Sequence, residues 1–106
     1  MSDLEELRRR IDAIDDRIVA LLSERFAVVR DVAAYKAPRN IPAMIPERID
    51  EVRERCAAQG AELGIDPDFL RVLYSLIIDE ACQMEEKLLA ESGVKDHQRA
   101  AKRRKG

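Results

Sequence analysis

Leu4, Leu7, Ile11, Ile14, Ile18 and Leu21 recur at alternating steps of three and four residues, and this run constrains the fold more than any other feature. Such spacing puts every apolar side chain on one narrow stripe of a helix, in the manner of a coiled-coil seam. Ser2 and Glu5 form an S-x-x-E capping box at its start. The helix is expected to run from about Asp3 to Lys36. Pro38 stops it, because a proline disfavours helical geometry at the residue before it. At 1.5 Å per residue this rod is about 50 Å long, far more than a compact domain of this size can cover, its radius of gyration being about 13 Å. The uncovered seam needs apolar surface from a second chain, so an intertwined helical homodimer is expected.

Two more helices follow. Pro46 suits the first turn of one, where a missing N–H costs nothing, and Gly64 suits its stop. Ile49, Val52, Cys56 and Leu63 mark its apolar side. Asp66 as N-cap, Pro67 in the first turn and Asp68 at the positive end of the dipole open the last helix. Its apolar face is broad: Leu70, Leu73, Tyr74, Ile77, Ile78, Ala81, Met84, Leu88 and Leu89. The fold class is therefore all-α, with a long first helix and two shorter ones. Aromatics make up only 4% of the chain and Trp is absent, which agrees with helices packed through aliphatic side chains.

A helical domain is expected over residues 1–91 and a basic, disordered tail over 92–106. The final stretch KDHQRAAKRRKG holds six Lys/Arg against one Asp. The formal net charge of −2 thus conceals a body near −7. The tail lacks apolar periodicity and reads as a solubilising segment. His97 lies in it and receives no catalytic role. No apolar run of about 18 residues is present to span a membrane. No signal-peptide h-region follows the N-terminus, and Cys56 and Cys82 match no metal-ligand spacing. These features point to a cytoplasmic protein without metal or cofactor.

Extending the seam past Leu21 brings position 25, then Val28 and Val32. Position 25 is arginine. Lys36 lies eleven residues on, three turns along nearly the same face. Two cations thus bracket a small apolar patch of Val28, Val29 and Val32. Buried cations without partners are expensive, so the pair reads as a site for a dianion. Arg8 sits about 25 Å before Arg25 along the helix and would reach the same small ligand only from an antiparallel partner. Arg9 and Arg10 are equally open by composition. On the last helix Tyr74, Ile78, Ala81, Glu85 and Leu88 share one stripe, which places the Glu85 carboxylate on an apolar face. Between the helices, "YKAPRNIPAMIPER" carries Pro38, Pro42 and Pro46 at a four-residue step. The prolines restrict a loop in which Arg39, Asn40 and Met44 are the candidate lid residues.

"LEELRRRIDAIDDRIVALLSER", the "YK" that follows, the "PER" beyond the loop and "LYSLIIDEACQMEE" together resemble the all-helical chorismate mutase class over residues 3–90. The resemblance implies an intertwined dimer with two active sites, each built from both chains. It implies that Arg25 binds a substrate carboxylate and that Arg8 does so from the other subunit. Lys36 would bind a carboxylate and the ether oxygen, and Glu47 would meet the C4 substituent of the ring. Three positions depart from the family pattern. Pro46 stands where an arginine precedes that glutamate, Ala81 where a serine often faces the ring carboxylate, and Glu85 where a glutamine donates to the ether oxygen. The short spacer between Lys36 and Glu47 is more similar to two relatives, isochorismate pyruvate lyase and 4-amino-4-deoxychorismate mutase. The reading that leads is rearrangement of chorismate to prephenate, with those two reactions as alternatives. From another class, a helical dimerisation module with a nucleic-acid-binding tail explains the seam but not Arg25 and Lys36 on it.

Overall fold

The computed structural model describes the backbone of residues 3–105 and the side chains of residues 3–92. It contains helix α1, Asp3–Lys36; a 3₁₀ turn, Ala37–Arg39; α2, Pro46–Glu62; and α3, Pro67–Lys105. The described residues hold no strand. Ser2 and its capping box lie outside them, and so do the side chains of the basic tail. No helix among the described residues is long and apolar enough to cross a membrane.

Local chemistry accounts for each boundary. α1 ends at Lys36 as the Ala37-Pro38-Arg39 turn tightens, with Asn40 closing the turn at a left-handed φ of 55°. Pro46 takes the first turn of α2 behind an extended Ile45. At the far end Ile65 N–H donates to Gly60 O at 2.8 Å and Gly64 N–H to Ala61 O at 3.2 Å. This pair of bonds is a Schellman stop, and it needs the positive φ of 82° that Gly64 supplies. Asp66 Oδ1 then accepts the Asp68 N–H at 2.9 Å, capping α3 as its sequence implies.

α3 packs against both α2 and α1. The core between α2 and α3 is thin: Val52, Cys56, Ile78 and Cys82 are buried, with Ile49 and Tyr74 packed on them. The two helices approach closely at Gly60, where an added Cβ would fall 1.7 Å from Leu70 Cδ1. The N-terminal two-thirds of α1 has no such cover. Leu4, Leu7, Ile11, Ile14, Ile18 and Leu21 are all 48–60% exposed. The chain by itself leaves its most regular apolar stripe in water.

Candidate active site

A cavity of about 240 Å³ opens where the C-terminal third of α1 meets α2 and α3. From α1 it receives Arg25, Val29, Val32 and Lys36; from the loop, Ala43 and Ile45; from α2, Arg48, Ile49 and Val52; from α3, Ile78, Ala81, Cys82 and Glu85. The eleven-residue step from Arg25 to Lys36 does what helical geometry demands and aims both cations into one space. Val29 and Val32 fill the turns between them.

Lys36 and Glu85 are the buried charged groups among the described residues, only 9% and 7% exposed. Lys36 Nζ lies 2.7 Å from Glu85 Oε1 and donates a hydrogen bond to Ala43 O at 3.1 Å. The contact with Oε1 is an ion pair at poor hydrogen-bonding angle, since that oxygen is fully enclosed without a hydrogen-bond partner among the described residues. A buried acceptor in this condition has capacity left for a donor. The pair also spans two helices and the loop, so one ammonium group holds α1, α3 and the Ala43 backbone together. Beside it, burial pushes the Cys82 thiol pKa up, and the charges of Glu85 and Glu86 add to this against the opposing pull of Lys36. Cys82 therefore lines the cavity as a neutral thiol rather than as a thiolate nucleophile.

The structure gathers Arg25, Val32, Lys36, Ala81 and Glu85, all expected from the sequence, around one space. Glu47 is exposed and does not line it; the next residue, Arg48, does. Arg39 is turned outward, its guanidinium 3.8 Å above the Tyr35 ring and donating to Tyr35 O at 2.7 Å. Asn40 and Met44 are exposed and likewise absent from the lining, to which the loop contributes Ala43 and Ile45 instead. Arg8 is an exposed residue of α1, far from the cavity of its own chain. Sequence reasoning missed Arg48, although a signal existed: Ile45, Arg48, Ile49 and Val52 follow the i, i+3, i+4, i+7 rule of one helical face.

The arrangement supplies three cations, one buried carboxylate and apolar walls, which suits the binding and orientation of a small dianion. The family model "Chorismate mutase type II" matches residues 7–86. A 4-amino-4-deoxychorismate mutase of Streptomyces pristinaespiralis is 38% identical over 90 residues, covering 85% of this chain and 70% of its own. A 4-amino-4-deoxychorismate mutase of Streptomyces venezuelae is 33% identical over 89 residues, covering 84% and 86%. A chorismate mutase of Methanocaldococcus jannaschii is 29% identical over 89 residues, covering 84% and 90%. With a family match spanning most of the sequence and all three helices, and these relatives aligned along the same stretch, the chain belongs to the type II chorismate mutase family.

Proposed function

We propose that the protein catalyses the [3,3] rearrangement of chorismate to prephenate within a homodimer, and the buried Lys36 beside Arg25 in one cavity is the observation that carries this reading. In this reaction the bond between ring carbon and ether oxygen breaks as the pyruvyl methylene carbon bonds to the ring carbon bearing the carboxylate. The ether oxygen becomes the ketone oxygen of the new side chain, and no net proton moves. No nucleophile is needed. What the reaction needs is a flexible dianion held in its chair conformation and positive charge where the ether oxygen gains negative charge. Arg25 holds a carboxylate, Lys36 faces the ether oxygen, and Val32 and Ala81 give the ring apolar walls. Arg8 reaches the site from the second subunit. A cytoplasmic setting agrees with the two free, buried thiols of Cys56 and Cys82.

A second substrate has support of its own. The two Streptomyces relatives carry the name 4-amino-4-deoxychorismate mutase, and Glu85 puts a carboxylate, with an oxygen still lacking a hydrogen-bond partner, in the cavity wall. That oxygen suits an ammonium group on the ring. Separate incubation with chorismate and with its 4-amino-4-deoxy analogue, with product identification, tests both readings. Prephenate from chorismate is expected. Turnover of the amino analogue alone would transfer the assignment to it, and pyruvate release from isochorismate without any prephenate from chorismate would replace both.

The two readings use Glu85 differently, and the Glu85→Gln variant separates them. As a hydrogen-bond donor to the ether oxygen, Glu85 is replaceable by glutamine, whose amide also donates, so Glu85→Gln keeps or raises kcat/KM on chorismate. A loss of tenfold or more in that variant rules out the donor role. As a carboxylate recognising an ammonium group, Glu85 is instead required for selectivity, and the variant loses its preference for the amino substrate. The charged and titratable groups facing Glu85 are Lys36 and Arg25 from α1, Arg48 from α2 and Cys82 from its own helix.

A further inference from the structure

α1 and α3 pack on each other with α2 returning between them, and their side chains meet in a matched register. Lys36 of α1 faces Glu85 of α3 at 2.7 Å. Eleven residues earlier on each helix, three turns and about 16 Å back, stand Arg25 and Tyr74. The step that puts Arg25 on the face of Lys36 also puts Tyr74 on the face of Glu85. Tyr74 thus holds towards Arg25 the place that Glu85 holds towards Lys36.

Tyr74 does not line the cavity. It lies one turn before Ile78, which does, and packs against the core of Val52, Cys56, Ile78 and Cys82. Burial and then the Cys56 side chain push its phenol pKa up, against the opposing pull of Arg25 from α1 and Arg55 from α2. The upward causes win, so the phenol is neutral at neutral pH. That pull also places the Arg25 charge within electrostatic reach of the phenol, as the register requires.

The two ends of the cavity then differ in one respect. Lys36 is charge-matched by Glu85 before any ligand arrives. Among the described residues no carboxylate pairs with Arg25. A carboxylate at position 74 would compete with a ligand for the guanidinium. A phenol oxygen instead accepts one of its five N–H groups and leaves the charge free. Anchoring a long side chain beforehand also lowers the ordering cost when a ligand binds it.

Resting on the proposed function, we infer that Tyr74 is a positioning residue for Arg25, its hydroxyl oxygen accepting a guanidinium N–H from behind the cavity wall and holding the cation, fully charged, towards a substrate carboxylate. Tyr74 does not touch the substrate. Helix α3 therefore sets both α1 cations, with an ion pair at one end of the cavity and a neutral hydrogen bond at the other.

The test uses the full chain, with steady-state kinetics on chorismate and calorimetric titration with prephenate, the product dianion of the proposed reaction. Tyr74→Phe removes one oxygen and keeps the ring, so its melting temperature should stay close to wild type. KM for chorismate and Kd for prephenate are expected to rise about three- to tenfold, the range of one hydrogen bond. kcat should change less, because Arg25 grips the carboxylate both before and during the reaction. In an Arg25→Lys background the effect of Tyr74→Phe on Kd should shrink to less than about twofold, since the guanidinium that the hydroxyl held is gone. A merely structural tyrosine would move the melting temperature and leave both constants alone. Values of KM and Kd within about twofold of wild type in Tyr74→Phe overturn the inference, and so does a loss of equal size with and without the Arg25 guanidinium. Wild-type turnover is the separate check on the proposed reaction. If chorismate is not consumed, that reading falls while the prephenate comparison still decides whether Tyr74 positions Arg25. A wild-type protein that neither consumes chorismate nor binds prephenate overturns both.

Discussion

Replacing Lys36 with alanine is expected to lower kcat/KM by about three orders of magnitude, the upper range for removing one preorganised donor at a developing oxyanion. The magnitude follows from position. Lys36 is almost fully enclosed, so its charge acts across a medium that screens it poorly, and no other described cation is buried as deeply. The same substitution leaves Glu85 without its ion-pair partner, and breaking a buried pair from one side costs about 3–5 kcal/mol of stability. The two losses are separable. A Lys36→Met/Glu85→Leu double variant removes both charges and fills the space with apolar groups, so most of the stability should return while activity does not. Urea unfolding followed beside turnover reads both quantities. A Lys36→Ala protein whose kcat/KM stays within tenfold of wild type would remove Lys36 from the chemistry. A double variant as unstable as the single one would show that the pair is not what holds α1, α3 and the Ala43 backbone together.

The second large effect concerns the exposed seam of α1. Mixing and co-refolding two inactive variants, Arg8→Ala and Arg25→Ala, should restore activity to about one quarter of wild type. In a two-fold dimer random pairing makes half of the molecules hybrids, and each hybrid has one intact site and one doubly altered site. The physical basis is the uncovered stripe from Leu4 to Leu21. Each of these half-exposed Leu and Ile side chains gains about 1 kcal/mol when a partner covers it, so the association has many small contributions along some 25 Å of helix. Placing Asp at both Leu7 and Ile14 should therefore abolish the dimer in sedimentation and abolish turnover with it. Failure of the mixture to regain activity would refute Arg8 donation between subunits. A monomer that retains full turnover would refute the need for a partner altogether.

Much of this protein is local, and that part was legible in its residues. Pro38 ends α1, Pro46 opens α2, Gly64 and the carbonyls of Gly60 and Ala61 stop it, and Asp66 caps α3. Each of these depends on one residue and its near neighbours, within the reach of sequence. The same holds for Arg25 and Lys36, since eleven residues of one helix carry a fixed rotation. The site's other half is not local. Lys36 and Glu85 belong to different helices, and only the packing of α1 on α3 brings their charges to 2.7 Å. On α2, periodicity defined a stripe but not how far the helix rolls about its own axis against α3. The packing of α2 on α3, close at Gly60, leaves Arg48 rather than Glu47 on the cavity wall, while Arg39 is held outward by its contacts with Tyr35. Sequence set the elements and the cations of α1, because backbone dihedrals and helical period are properties of neighbouring residues. The pairing of Lys36 with Glu85 and the choice of Arg48 came from tertiary packing, because side chains distant in sequence meet only where helix faces are pressed together.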